Sequence, residues 1–167
     1  AASDVYKRQP LIMGIDSLST PLHQAVKKLC EGPDGLYYAL LFQGGITCFD
    51  KDIEKFLPVR FDKPLELKDI LDFCWNDGSL YLVTSQGLFE SRIVRKTEGK
   101  HDFVLCLLNP EPVVRGKIAH LCSDGKTNLY FSVNQRKVVH HDLVAKKTSL
   151  IKEYSVVNRL FLSLIHI

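Results

Sequence analysis

"DILDFCWNDGSLYLVTSQGLFESRIV", residues 69–94, decides the fold. Short apolar and aromatic runs are broken at Asp77-Gly78 and at Gln86-Gly87. Asp-Gly is a hairpin signal, because glycine reaches positive φ without a Cβ clash. The runs are rich in β-branched and aromatic residues and are bounded by turn formers, so they read as strands. The expected strands are Asp69–Trp75, Ser79–Ser85 and Leu88–Val94, with a fourth over Asp102–Leu108.

The same order of signals occurs on either side. "AVKKLC" ends at Cys30, "DILDFC" at Cys74 and "KIAHLC" at Cys122, at intervals of 44 and 48 residues. Each is followed by Asp-Gly and then Leu-Tyr, in "PDGLYY", "NDGSLYL" and "SDGKTNLYF". The tyrosines of this register, Tyr37, Tyr81 and Tyr130, stand 44 and 49 apart. A glutamine follows each tyrosine, in "LFQGGI", "TSQGLF" and "VNQRKV". The first unit then has strands Ala25–Cys30, Leu36–Phe42, Ile46–Asp50 and Lys55–Phe61. The third has Lys117–Cys122, Asn128–Val133, Lys137–Leu143 and Thr148–Glu153. "KDIEKF" has room for one helical turn, which Pro58 would stop.

A four-stranded unit repeated every 40–50 residues or so is the signature of a β-propeller blade. The expected fold is therefore all-β: a β-propeller fragment of about three four-stranded antiparallel blades (residues 23–62, 67–109 and 116–155) plus the start of a fourth. "VVNRLF", 156–161, repeats the spacing of the first strands and begins that fourth blade. Residues 10–22 are expected to hold the tail of an earlier blade and its connection.

The repeats resemble the NHL and related six-bladed propeller families. "TNLYFSVNQRKVVHHDLVAKKTSLI", 127–151, carries the resemblance: Leu-Tyr, a polar turn with Asn134 and Arg136, the apolar pair Val138–Val139, then Asp142–Leu143. It covers residues 23–155, more weakly in the first two units. The WD-like pattern is departed from, since Trp75 is the only tryptophan and Asn76 follows it. "LYYA", "LYLV" and "LYFS" stand where a YWTD repeat would carry its signature.

Both ends read as foreign. "LSLIHI", 162–167, can be encoded CTG TCT CTT ATA CAC ATC, whose reverse complement encodes "DVYKRQ", residues 4–9. This resembles the transposon end used in sequencing libraries, and "AAS" fits its attached adapter. Residues 1–9 and 162–167 are therefore expected to be adapter-derived and non-native. Pro10–Phe161 is then a piece of a longer protein, and its net charge falls from +3 to +2.

Composition bounds the chemistry. The chain is 46% hydrophobic and 25% charged, ordinary for a globular domain. No apolar run is long enough to span a membrane. The small net charge argues against a nucleic-acid partner. Basic pairs such as Lys27–Lys28 and Lys146–Lys147 read as solvated strand ends. The five cysteines form no C-x-x-C, their number is odd, and no N-x-S/T sequon occurs. These features point to a reducing, intracellular and cytoplasmic setting.

Cys30, Cys74 and Cys122 read as small buried hydrophobes, and the three tyrosines as packing between blades. His140 and His141 are strand neighbours, so they face opposite sides and do not share a metal. No catalytic order, paired carboxylates or phosphate loop stands out, so no cofactor is expected. If the four strands run as in known propellers, the turns between second and third strands share one face with the connectors between blades. That face is expected to carry Gln43, Lys63, Glu66, Gln86, Arg115, Gln135 and Arg136 as partner-binding residues. The expected function is a non-enzymatic scaffold for other proteins. The alternative is an enzymatic or ligand-binding propeller with a central-channel site. Polar residues recurring at channel positions of the first strands would favour the alternative, and those positions read as mostly apolar and cysteine.

Overall fold

The computed structural model describes residues 25–62, 70–96, 102–158 and 160. Among them the chain is all-β and propeller-like, built from three consecutive four-stranded antiparallel meanders. The first holds β1 (Val26–Glu31), β2 (Tyr37–Leu41), β3 (Ile46–Asp50) and β4 (Lys55–Phe61). The second holds β5 (Asp72–Asn76), β6 (Ser79–Thr84), β7 (Gly87–Lys96) and β8 (Asp102–Leu107). A short β9 (Val114–Arg115) then precedes the third meander: β10 (Ile118–Ser123), β11 (Asn128–Val133), β12 (Lys137–Asp142) and β13 (Lys147–Glu153).

Local sequence accounts for the hairpins. Asn76 faces Ser79 across a two-residue turn in which Asp77 and Gly78 have φ of 45° and 77°. That mirror-image turn matches the natural twist of the strands. Gly87 serves a different need. A Cβ there would lie 2.2 Å from the Val114 carbonyl oxygen, so only glycine lets β9 pair with β7.

Alternation along the strands divides the interior into two layers. Phe73, Leu80 and Leu82 point back onto Tyr38, Leu40, Ile46 and Cys48 of the first unit. Their neighbours Cys74, Tyr81 and Val83 point forward onto Leu121, Leu129 and Phe131 of the third. The middle unit is thus buried on both faces, as a stacked blade must be.

Four features depart from expectation. β4 pairs in parallel with β8 (Val59↔Phe103, Arg60↔Val104, Phe61↔Leu105), joining the first two units into one sheet. Val59, Phe103 and Leu105 all sink into the same core, which draws the two outer edges together, and Arg60 pairs with Asp102 across the seam. Second, Tyr38 rather than Tyr37 lies opposite Cys30, as Tyr81 lies opposite Cys74 and Tyr130 opposite Cys122. Tyr37 faces outward and is exposed. Third, only Cys74 of the repeated cysteines is buried, while Cys30 and Cys122 are half-buried; all five cysteines are free. Fourth, residues 154–158 continue past β13 without strand pairing, although Val157 is buried and its N–H donates to the Gln135 carbonyl at 2.7 Å. Residues 1–24, 63–69, 97–101, 159 and 161–167 lie outside the described residues. With them lie both adapter-like ends, residues 10–22, part of the fourth-blade strand, and the candidate residues Lys63 and Glu66.

Candidate functional site

The three first strands, β1, β5 and β10, each end a sheet, so each presents an unpaired edge. Such edges need their backbone groups satisfied. Here side chains meet part of that need, at Leu71 and Leu121. Asp72 accepts from Lys28 Nζ at 2.8 Å and from its neighbour's Phe73 N–H at 2.8 Å through one oxygen. Its other oxygen accepts from the Leu121 N–H at 2.6 Å. Lys28 also donates to the Leu121 carbonyl at 3.1 Å, and Lys27 donates to the Leu71 carbonyl. One carboxylate therefore ties all three units together.

Lys28, Asp72 and His120 occupy the same place in the repeat, two residues before Cys30, Cys74 and Cys122. Bulges turn the strands there. Pairing slips at Lys27 in β1 and at His120 in β10, and His120 takes φ of 50°. In the second unit Leu71 N–H donates to the Val83 carbonyl at 2.8 Å while Asp72 is the residue opposite Val83. Bulges re-aim side chains beside functional sites. These ones open a cleft of about 520 Å³ lined by Lys27, Lys28, Asp72 and His120, with Gln135 and Asn158 at its polar rim and Phe42, Leu71 and Leu160 on its apolar wall. A second cleft, of about 570 Å³, adjoins it and shares Leu71, Ala119 and Gln135.

Of the expected partner-binding residues, Lys63 and Glu66 lie outside the described residues, Gln135 lines both clefts, and Gln43, Gln86, Arg115 and Arg136 are neighbours of lining or turn residues. Gln43 is exposed in the β2–β3 turn, next to Phe42 of the first cleft. Gln86 is exposed in the β6–β7 turn, next to Ser85 of the second cleft. Gln135 lines both clefts, and Arg136 follows it in the same exposed turn. Arg115 is opposite Gly87 and so beside Gln86, with its guanidinium paired to Glu111.

The reading of the channel positions as mostly apolar is corrected here. Of those apolar and cysteine positions, Cys30, Phe73, Cys74 and Leu121 point into the layers between units, while Leu29 is exposed. The polar set two residues before the cysteines was missed. Aligning the repeats at that offset would have found it, since Lys28, Asp72 and His120 appear in register.

The remaining polar candidates are structural. His140 takes Asn128 Oδ1 at 2.6 Å, and His141, on the opposite face, takes Thr148 Oγ1 at 2.8 Å. Burial holds the His141 imidazole below its ordinary pKa. Burial also raises the thiols: Cys122 to about 11, Cys48 to about 12, and Cys74 further. Among the described residues no His, Cys, Asp and Glu side chains cluster as a metal site, and no helix is long and apolar enough to cross a membrane.

No protein-family model and no curated protein matches this chain. Among solved structures it is similar to an auxiliary nutrient binding protein from Bacteroides thetaiotaomicron, with a TM-score of 0.57 and 15% identity. The likeness covers 80% of this chain but 32% of that one, so this chain spans about a third of its neighbour's length. At that identity the likeness is one of fold.

Proposed function

We propose that this chain is a binding module of a larger propeller, not a catalyst, and that it takes an extended segment of a partner protein in the first-strand cleft. The observation that carries this reading is the state of Asp72. Three hydrogen bonds engage its two oxygens and tie it to all three units, so the acid in the cleft acts as a structural clamp rather than as a free general base. What remains around it is a rim of side-chain amides and an apolar wall, which suit peptide groups and their side chains. Assignment of the repeats to NHL-like six-bladed propellers is part of this proposal. It draws on the Asn134 turn and on Asp142, which accepts from the Val144 and Ala145 N–H groups at 2.8 Å. Unpaired thiols support an intracellular setting.

A second reading, a small-molecule ligand, is favoured by the size of the cleft. Small-molecule sites commonly measure about 300–1,000 Å³, and the structurally similar protein is a nutrient binding protein. A random-sequence decapeptide array, probed with the full chain, separates the two. Specific capture that is lost in Asn158→Trp and Ala119→Trp, both of which fill the cleft, is the expected result. No peptide capture, with a thermal shift from a panel of sugars and organic acids, would replace the first reading with the second.

A further inference from the structure

The balance of donors and acceptors in the cleft says more than its shape. Among the described lining residues Asp72 is the single acid, and both its oxygens already accept hydrogen bonds from within the chain. The donors are not exhausted. Lys27 spends one of its three N–H groups on the Leu71 carbonyl, and Lys28 spends two, on Asp72 and on the Leu121 carbonyl. The His120 ring is half-buried, held toward the cleft by its bulge, and finds no hydrogen-bond partner among the described residues. With Lys28 neutralised by Asp72, the described residues of the cleft keep about one positive charge, centred on Lys27. A site with surplus donors and one unmatched cation selects an acceptor of single negative charge.

We propose that the cleft recognises an acidic segment of a partner protein, with one side-chain carboxylate seated between Lys27 and His120. This rests on the reading that the cleft takes a peptide. Gln135 and Asn158 then hold flanking peptide groups, and Phe42, Leu71 and Leu160 take an apolar neighbour of the acid. A nucleic acid is a poorer fit. A phosphate backbone demands a stripe of cations along its length, and among the described residues this cleft has one lysine without a carboxylate partner, in a chain of net charge +3.

The same decapeptide array tests the charge preference. Captured peptides should be enriched in Asp and Glu, and paired spots differing only by Glu→Gln should differ at least fivefold in bound protein. Lys27→Gln, at an exposed position, and His120→Asn, which tolerates the left-handed backbone, should each reduce that ratio toward one while leaving folding intact. Capture without any preference between Glu and Gln spots would overturn the acidic assignment and leave the peptide reading standing. A preference that survives both substitutions would move the carboxylate to another part of the surface and overturn the seat proposed here. If a labelled oligoribonucleotide binds and competes away the captured peptides, the site is one for phosphate and the proposal fails. If no peptide is captured at all, the peptide reading itself fails, and this inference with it.

Discussion

The second and third units carry the same repeat, yet they are buried very differently. In β5 and β6 successive side chains go to opposite layers, and Phe73, Leu80, Leu82 and Val83 are each completely covered. In β13 every residue is exposed, Leu150 by 57% and Ile151 by 53%. The third unit covers the second with Leu121, Leu129 and Phe131, but its forward face, with Cys122 and Tyr130, remains half-open. The pattern in the sequence is therefore a pattern of readiness. What a blade position contributes depends on whether a neighbour stands against it, and burial stabilises by about 25 cal/mol for each Å² of apolar surface covered.

The sharpest way to break this comparison is to shorten one side chain in each place. Phe73→Ala removes a fully buried ring from the layer between the first two units and should cost about 3–5 kcal/mol. Leu150→Ala should change stability by no more than about 0.5 kcal/mol. Chemical denaturation of both variants checks the pair, and equal losses would mean that β13 is covered in solution, as by association of chains through the open faces. Next in size is the clamp. Asp72→Asn removes the charge that pairs with Lys28 and weakens the acceptor for the Leu121 N–H, and should cost about 1–3 kcal/mol. A loss seen as readily with Asp142→Asn, the half-buried acid that ends β12 and caps the turn after it, would make Asp72 an ordinary turn-capping acid.

The smallest effect concerns the thiols, which report the same asymmetry without altering the fold. Cys74 should resist a disulfide reagent until the chain unfolds. Cys122 should react in the native protein at a rate that rises with pH towards about 11, the value to which burial raises it from 9.0. The unfolded thiol ionises first, so the native state binds more protons between these values. This group's contribution is therefore constant below 9.0 and is lost as pH climbs to about 11. Thiol release monitored against pH measures both.

Much of this was legible in the chain. Asp77-Gly78 fixed a two-residue hairpin, and β3, β4 and β11 begin and end where the turn residues placed them. Turns are local, so local residues announce them. The Tyr37–Tyr38 pair was ambiguous because two adjacent tyrosines satisfy the same spacing, and only cross-strand register selects Tyr38. The β4–β8 pairing had no local signal at all: it joins residues whose neighbours already read as complete hairpins. The cleft lay between these cases. Its residues recur at one offset from the cysteines, but the bulges that turn them inward are set by pairing between strands and by the backbone of His120.

The β4–β8 seam also orders the making of the molecule. β10 to β13 are joined only by hairpins between consecutive strands, so the third unit assembles from short loops at small entropic cost. The seam cannot close that way. Val59 meets Phe103 only after the intervening strands have been laid down, which makes this the contact of long sequence separation that slows folding. The chain therefore matures as a quick local meander beside a slower two-unit sheet. Pulsed amide labelling during refolding would show protection in β11 and β12 before β4, and the reverse order would place the seam in the nucleus.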